Sequence, residues 1–355
     1  SSALGVISTY AQANSTPAPA TPTGTAPDLN TYTNAGVTGV TPSNLAAIND
    51  ALASASVVGT SVDTTAEVQD LVNAYKAMFT LADGIDNTTN ASNPAQAQYA
   101  LIGVTGVTST AKASLLGDVI DKKTNSDIDT VGEIQALADA VTAVMTGAAG
   151  STAPTLAQLQ ALGVTGVNAD NLIAVQNAIA ATADDGSGVD TLAELQTVVS
   201  SALGATAAAL NIISTYAQAN SGTAPTQNTY IDAGVTGVDN NNLASINDAL
   251  ASASVVGTSV DTTTEVQALV NAYNAILNLA DGSDNTANSA NPIYDQYALI
   301  GVTGVDNPAK ASLLGDVIDT KARTAVDTVG EIQALADAVT AVMTGAAGST
   351  APTLA

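Results

Sequence analysis

The side chains with the most chemistry in this chain are closely spaced carboxylates and amides. Asp83, Asp86 and Asn87 share one loop, Asp281, Asp284 and Asn285 share its echo, and Asp184, Asp185 and Asp190 form a third group. Calcium takes six to eight oxygen ligands, so such loops are its candidates. None has the twelve-residue spacing that closes on a glutamate, and a solvated turn or helix cap explains the same residues. The recurrent glutamates are Glu67, Glu133, Glu194, Glu265 and Glu331, each three residues after a threonine: Thr64, Thr130, Thr191, Thr262 and Thr328. That spacing is a capping box, in which threonine accepts from the third helical amide and glutamate reaches back.

Much other chemistry is closed off. The 355 residues contain no histidine, cysteine or tryptophan, which removes the commonest general base, thiol chemistry and disulfides together. No Ser/His/Asp set can be built, and no strand followed by a Lys-Ser/Thr phosphate loop is present. The chain therefore reads as non-enzymatic, with no cofactor beyond the calcium candidates. Seven basic against 32 acidic residues give a net charge of -25, which repels nucleic acid and anionic lipid. The apolar runs are rich in alanine and interrupted by Thr, Asn or Gly, so no membrane-inserted helix is expected, and the N-terminus shows no signal-peptide pattern.

What must position these residues is a corner written Gly-Val-Thr-Gly-Val, at 36–40, 103–107, 163–167, 234–238 and 301–305. The first glycine of each corner (Gly36, Gly103, Gly163, Gly234, Gly301) suits the left-handed residue that ends a helix. The second (Gly39, Gly106, Gly166, Gly237, Gly304) belongs to the same turn, and the closing valine stands before the next helix. Around each corner a short helix (94–102, 155–162) leads to a second one, capped by Thr41, Asn168, Asp239 or Asp306. Spacings of three and four put Leu45, Ile48 and Leu52 on one stripe, as they do Leu172, Val175, Ile179 and Leu243, Ile246, Leu250. The third, longest helix starts at the capping box, with Val68, Leu71, Val72, Tyr75 and Phe79 on one face and Val266, Leu269, Val270, Tyr273 and Leu277 on its counterpart. Tyr99 and Tyr297 also read as core, and Lys122 with Lys123 as a solvated helix end.

A longer period overlies the corners. Residues 48–65 recur unchanged at 246–263, and 130–157 match 328–355, both at an offset of 198. The expected fold is all-α: a tandem array of three-helix bundles of about 60–70 residues, docked or joined through long third helices. The divisions are 1–15, the tail of a preceding long helix; 16–28, a Pro-rich linker; bundles over 29–83, 84–147, 148–219, 220–281 and 282–346; and 347–355, the start of another. In the middle bundle the helical pattern runs from Thr191 to about Ala219. Because both ends fall inside a repeat, the expectation is a window on a longer array.

Three recurrent strings, Tyr-Ala-Leu-Ile-Gly-Val-Thr-Gly-Val, Asn-Leu-Ala-Ala-Ile-Asn-Asp-Ala-Leu and Val-Asp-Thr-Val-Gly-Glu-Ile-Gln-Ala-Leu-Ala-Asp-Ala-Val, resemble the helical repeats of very large bacterial RTX-type surface adhesins. The resemblance implies an extracellular or cell-surface setting, calcium-rich surroundings and a role in attachment or biofilm. The glycine-rich nonapeptide repeats of that family's secretion end are absent. The corner is also similar to that of the albumin-binding three-helix modules of Gram-positive surface proteins, which would imply a host protein or glycan ligand. The expected role is a spacer or fibre, with copies of the chain or neighbouring repeats as partners, and binding modules as the alternative.

Overall fold

The computed structural model describes residues 2–15, 21–84, 92–282 and 290–348. Among the described residues the chain is all-helical, with no β-strand and two isolated bridges, Asp83 to Thr124 and Asp281 to Ala322. A lone N-terminal helix, α1 (Ala3–Asn14), precedes five triplets of a short, a second and a long helix. These are α2 (Leu29–Asn34), α3 (Leu45–Leu52) and α4 (Thr65–Leu81); α5 (Gln96–Leu101), α6 (Thr110–Asp121) and α7 (Val131–Ala148); α8 (Leu156–Ala161), α9 (Leu172–Ala180) and α10 (Leu192–Ala219); α11 (Gln227–Asp232), α12 (Leu243–Leu250) and α13 (Thr263–Leu279); and α14 (Tyr294–Leu299), α15 (Pro308–Asp319) and α16 (Val329–Ala346). Two compact units result, Ser1–Val167 with Gln176–Ser200, and Asn168–Val175 with Ser201–Ala355.

The corners are Schellman turns. In each, the valine amide donates to the carbonyl five residues back, as in Val37 to Tyr32 (2.9 Å) and Val235 to Tyr230 (2.8 Å). The glycine amide donates to the carbonyl three residues back, which satisfies two otherwise orphaned helix-end acceptors. Both glycines of every corner have positive φ, from 74° to 92°, so the second is as conformationally required as the first.

Between the two glycines, the threonine is held by a glutamine of the long helix. Gln69 Oε1 accepts from the Thr38 amide at 2.8 Å while its Nε2 donates to the Thr38 carbonyl at 3.0 Å. Gln135 grips Thr105, Gln196 grips Thr165, Gln267 grips Thr236 and Gln333 grips Thr303 in the same two-bond way. A side-chain amide thus takes the place of a neighbouring strand for one peptide unit. Gln267→Ala is expected to lose both bonds, about 1–2 kcal/mol. Gln267→Glu should lose nearly as much, because a carboxylate cannot donate to the Thr236 carbonyl; urea denaturation of both variants checks this.

The long helices start as the Thr/Glu spacing predicts. Thr64, Thr130, Thr262 and Thr328 accept from the glutamate amide, and each glutamate accepts from the threonine's amide in return. Thr191 Oγ1 accepts from the Glu194 amide at 3.2 Å and donates to its carboxylate at 2.9 Å. The second helices begin later than expected. Thr41, Asn168 and Asp239 open a turn, and the helices proper start at Leu45, Leu172 and Leu243. In the first and fourth triplets, the intervening asparagine bridges back: Asn44 accepts from the Thr41 amide and donates to the Gly39 carbonyl, and Asn242 does the same for Asp239 and Gly237. The left-handed second glycine leaves its carbonyl facing this amide, which moves the start of the helix by a turn. In α15, Asn307 is the cap and Pro308 the first helical residue, while Asp306 pairs with Lys310 at 3.0 Å.

The stripes on the second and long helices face the core, with one change of register. Met78 is buried on α4 and Phe79 half-buried, its ring meeting Tyr75 edge-on at 5.1 Å. Tyr75, Tyr99, Tyr273 and Tyr297 are all fully buried. Each of four long helices packs on the second helix of its own triplet: α4 on α3, α7 on α6, α13 on α12 and α16 on α15. Three of them also reach the next triplet, where α4 meets α5 and α6, α13 meets α14 and α15, and α7 meets α8. In the second unit, buried residues from Ala209 to Val339 therefore form a single core cluster. The Pro-rich stretch is tied down where it is described, since Asn14 Oδ1 accepts from the Thr23 amide at 2.6 Å and Asp28 caps α2.

The helix α10 is the exception to the expected absence of membrane-length segments: by length and composition alone it could cross a membrane. Its alanines raise the apolar average without interruption by charge beyond Glu194. Leu195, Val199, Ala202, Thr206, Ala209, Ile213 and Ala217, spaced three or four apart, are its buried face.

Candidate functional site: the junction between triplets

The most elaborate side-chain chemistry lies where one triplet meets the next. An aspartate of the second helix caps the long helix of the following triplet. Asp50 Oδ2 accepts from the Val131 amide at 2.6 Å, Asp248 Oδ2 from the Val329 amide at 2.6 Å, and Asp118 Oδ2 from the Leu192 amide at 3.0 Å. These are first-turn amides with no intrahelical acceptor, and a carboxylate there also faces the positive end of the helix dipole. A tyrosine of the long helix makes a second tie: Tyr75 Oη donates to the Ile128 carbonyl at 3.0 Å and Tyr273 Oη to that of Val326 at 3.4 Å.

The corner glycine makes the third. A Cβ on Gly103 would overlap Ser54 Oγ, and one on Gly301 would overlap Ser252 Oγ, so the corner backbone lies directly on the end of the preceding second helix. Ser56 Oγ donates to the Gly103 carbonyl at 2.8 Å in the same place. At the third corner the space beside Gly163 is open, and Lys123 Nζ instead donates to the Ala161 carbonyl at 3.0 Å, capping α8. This basic residue is thus a junction contact rather than only a solvated end.

One variation follows the repeat. Tyr32 and Tyr230 donate to Asn49 and Asn247, whose amides in turn hold the carbonyls of Pro27 and Pro225. In the second and fifth triplets the matching position is glycine, Gly117 and Gly315, and Asn93 and Asn291 pack into the space a Cβ would fill. Among the described residues the hydroxyls of Tyr99 and Tyr297 are left buried without a partner, and burial raises their pKa values, as it does those of Tyr32, Tyr75, Tyr230 and Tyr273.

Each aspartate cap sits among other acids. Burial, then the Glu133 carboxylate, raises the pKa of Asp129, with Asp50 adding to it. Desolvation and Glu194 raise that of Asp190, helped by Asp118 and Asp185, and desolvation with Glu331 and Asp248 raises that of Asp327. Opposing them, hydrogen bonds from Thr64 and Thr191 lower Glu67 and Glu194, and those from Thr124 and Ser187 lower Asp127 and Asp185. Raised acids take up protons on folding, so their contribution to stability grows as pH falls toward their folded pKa values. Lowered acids stabilise above their unfolded values and lose that contribution as pH falls through the folded ones. Stability is therefore expected to rise as pH falls from neutrality toward the carboxylate range, where the raised acids take up protons, and to fall again at lower pH as the lowered ones do. Thermal melts from neutral to acidic pH check it, and the triple variant Asp129→Asn, Asp190→Asn, Asp327→Asn should flatten the rise on the neutral side.

The acidic loops proposed from sequence do not gather into a metal site among the described residues, where no group of three or more acids could hold an ion. Asp86, Asn87, Asp284 and Asn285 lie outside the described residues. Asp83 and Asp281 stand at the two isolated bridges, and the Gly84 amide beside Asp83 donates to the Lys123 carbonyl at 2.9 Å. Asp185 accepts from the Ser187 amide at 2.9 Å in a turn, Asp184 is exposed, and Asp190 belongs to the junction acids. Two open grooves of about 490 and 400 Å³ recur at matching places, where Ser8, Gln12 and Asp63 of one correspond to Ser214, Gln218 and Asp261 of the other. They offer hydroxyls, an amide and one carboxylate.

No family model matches the chain, and no curated protein or solved structure matches it either.

Corner and junction residues are legible in part. The glutamines stand five residues after every capping threonine, and the aspartates recur in Ile-Asn-Asp and Leu-Gly-Asp. That constant spacing is a signal available in the sequence. What it lacks is the partner, which lies 81 residues away for Asp50 and 74 for Asp118.

Proposed function

We propose that the chain is a non-catalytic structural element, a tandem array of three-helix modules that serves as a spacer or fibre of an extracellular bacterial surface protein. The observation that carries this reading is the junction that recurs within each unit: an aspartate cap joins the first triplet to the second, the second to the third and the fourth to the fifth, with the corner glycine added at the first and last of these. The recurrent residues are thereby occupied in holding one module to the next. Repetition at 198 residues with the same contacts is what a protein needs when its product is reach, since each added module brings its own interface. A surface of net charge -25 suits an extended array that must not collapse on itself. The same interface, made between chains, would give a filament or coat.

Chains carrying one, two and three copies of the 198-residue repeat test the reading by small-angle scattering. Maximum dimension is expected to rise by a constant increment per copy, and antibodies to the chain should label unbroken cells. No increase with copy number, or labelling only after lysis, would count against a surface spacer. Stoichiometric capture of a host protein or glycan by every module would favour binding modules instead.

A further inference from the structure

The chain contains the same helix twice in different surroundings. Residues 130–157 and 328–355 are identical, so α7 and α16 have one sequence. On α7, Val144 is 0 % exposed, and Val141, Met145 and Ala148 are buried with it. Pro154 and Ile179 close over Gly147, and Gly186 lies on the Met145 sulfur. On α16, Val342 is 49 % exposed, Met343 is half-buried and Ala346 is exposed.

Two polar groups differ in the same sense. Asp118 gives one carboxylate oxygen to Asn93 (2.9 Å) and the other to the Leu192 amide (3.0 Å). Asp316 gives one to Asn291 (2.8 Å), and among the described residues no donor meets the other. Lys123 holds the Ala161 carbonyl, whereas Lys321 at the matching place meets no acceptor among the described residues.

We propose that this end of the second unit is a docking surface, and that its occupant is a further triplet of the kind to which 158–200 belong. The recognition is threefold. A second-helix isoleucine covers the Val342 face, a short-helix carbonyl takes Lys321, and a long-helix first-turn amide takes Asp316. The helix dipoles match in sign, since the lysine meets a C-terminal end and the aspartate an N-terminal one. The apolar face alone would accept many partners; the two charged groups select this one.

The inference rests on the tandem reading, and its test separates the two. Because the chain has no cysteine, Val342→Cys and Val144→Cys each report one site by thiol labelling. Both are made in the 355-residue chain and in a chain extended after Ala355 by a copy of 158–219. In the first chain the thiol of Val342→Cys should react rapidly, and in the second on the order of a hundredfold more slowly. Asp316→Ala in the extended chain should return part of that reactivity. The thiol of Val144→Cys should be protected in both. If Val342→Cys stays equally reactive in the extended chain while Val144→Cys is protected, the docking proposal is overturned and tandem packing stands. If Val144→Cys is also reactive, the tandem packing itself fails. Protection of Val342→Cys in the unextended chain, with a dimer mass, would overturn the proposal in favour of a second copy.

Discussion

Gly301→Ala is expected to destabilise the second unit by about 3 kcal/mol or more. Two costs add. Gly301 has φ of 91°, where an L-residue loses about 1–2 kcal/mol. The new Cβ would also overlap Ser252 Oγ and lie 2.8 Å from Ser252 Cβ, and overpacking of this kind costs about 1–3 kcal/mol. Turning the Ser252 hydroxyl away does not remove the clash, because its Cβ stays 2.8 Å from the new methyl group. Gly163→Ala provides the contrast. It shares the left-handed conformation at φ of 81° but has open space around the Cβ, so about 1 kcal/mol is expected. Urea denaturation followed by tyrosine fluorescence, with both variants against the parent, checks the difference. Equal losses at the two sites would mean that the corner does not rest on the preceding helix.

Asp248→Ala removes the cap that joins α12 to α16, and the expected loss is about 1–2 kcal/mol. Two effects oppose each other here. The bond from the Val329 amide is short and charge-assisted, worth about 1.5–3 kcal/mol. Against it, the carboxylate repels Asp327, and relieving repulsion between largely exposed acids returns no more than about 1 kcal/mol. The hydrogen bond wins. Asp248→Asn keeps an acceptor and should lose less than the alanine variant. Hydrogen exchange at the Val329 amide supplies the local readout: protected in the parent, fast in Asp248→Ala. An alanine variant as stable as the parent would assign the cap no part in holding the triplets together.

Local signals in this sequence are readable because they depend on neighbours in the chain. The Thr/Glu boxes, the corner glycines and the three-and-four stripes each specify a conformation within a few residues. The second helices start a turn later than their capping residues suggest, since the asparagine bridge at Asn44 and Asn242 depends on where a left-handed glycine points its carbonyl. The stripe puts Phe79 in the core where the structure buries Met78, because a stripe fixes a direction around the helix while the neighbour that fills it is in another triplet. The junction is the least legible part. Asp50 and Asp248 look like any solvated acid on an exposed helix face until the distant amide they cap is in place. The unpaired hydroxyls of Tyr99 and Tyr297 follow from Gly117 and Gly315, a substitution whose consequence appears only across two helices.

The fourth and fifth triplets share one core, so neither is expected to unfold alone. Native-state hydrogen exchange on Gly301→Ala, read by mass spectrometry along the chain, tests it most directly. The lesion lies in the fifth triplet, yet the fourth is bound to it through Tyr273, Asp248 and the packing of α13 on α14 and α15. Exchange in α12 and α13 is predicted to accelerate together with that in α15 and α16. Acceleration confined to 290–348, with α12 and α13 as protected as in the parent, would contradict it and describe a string of independent bundles.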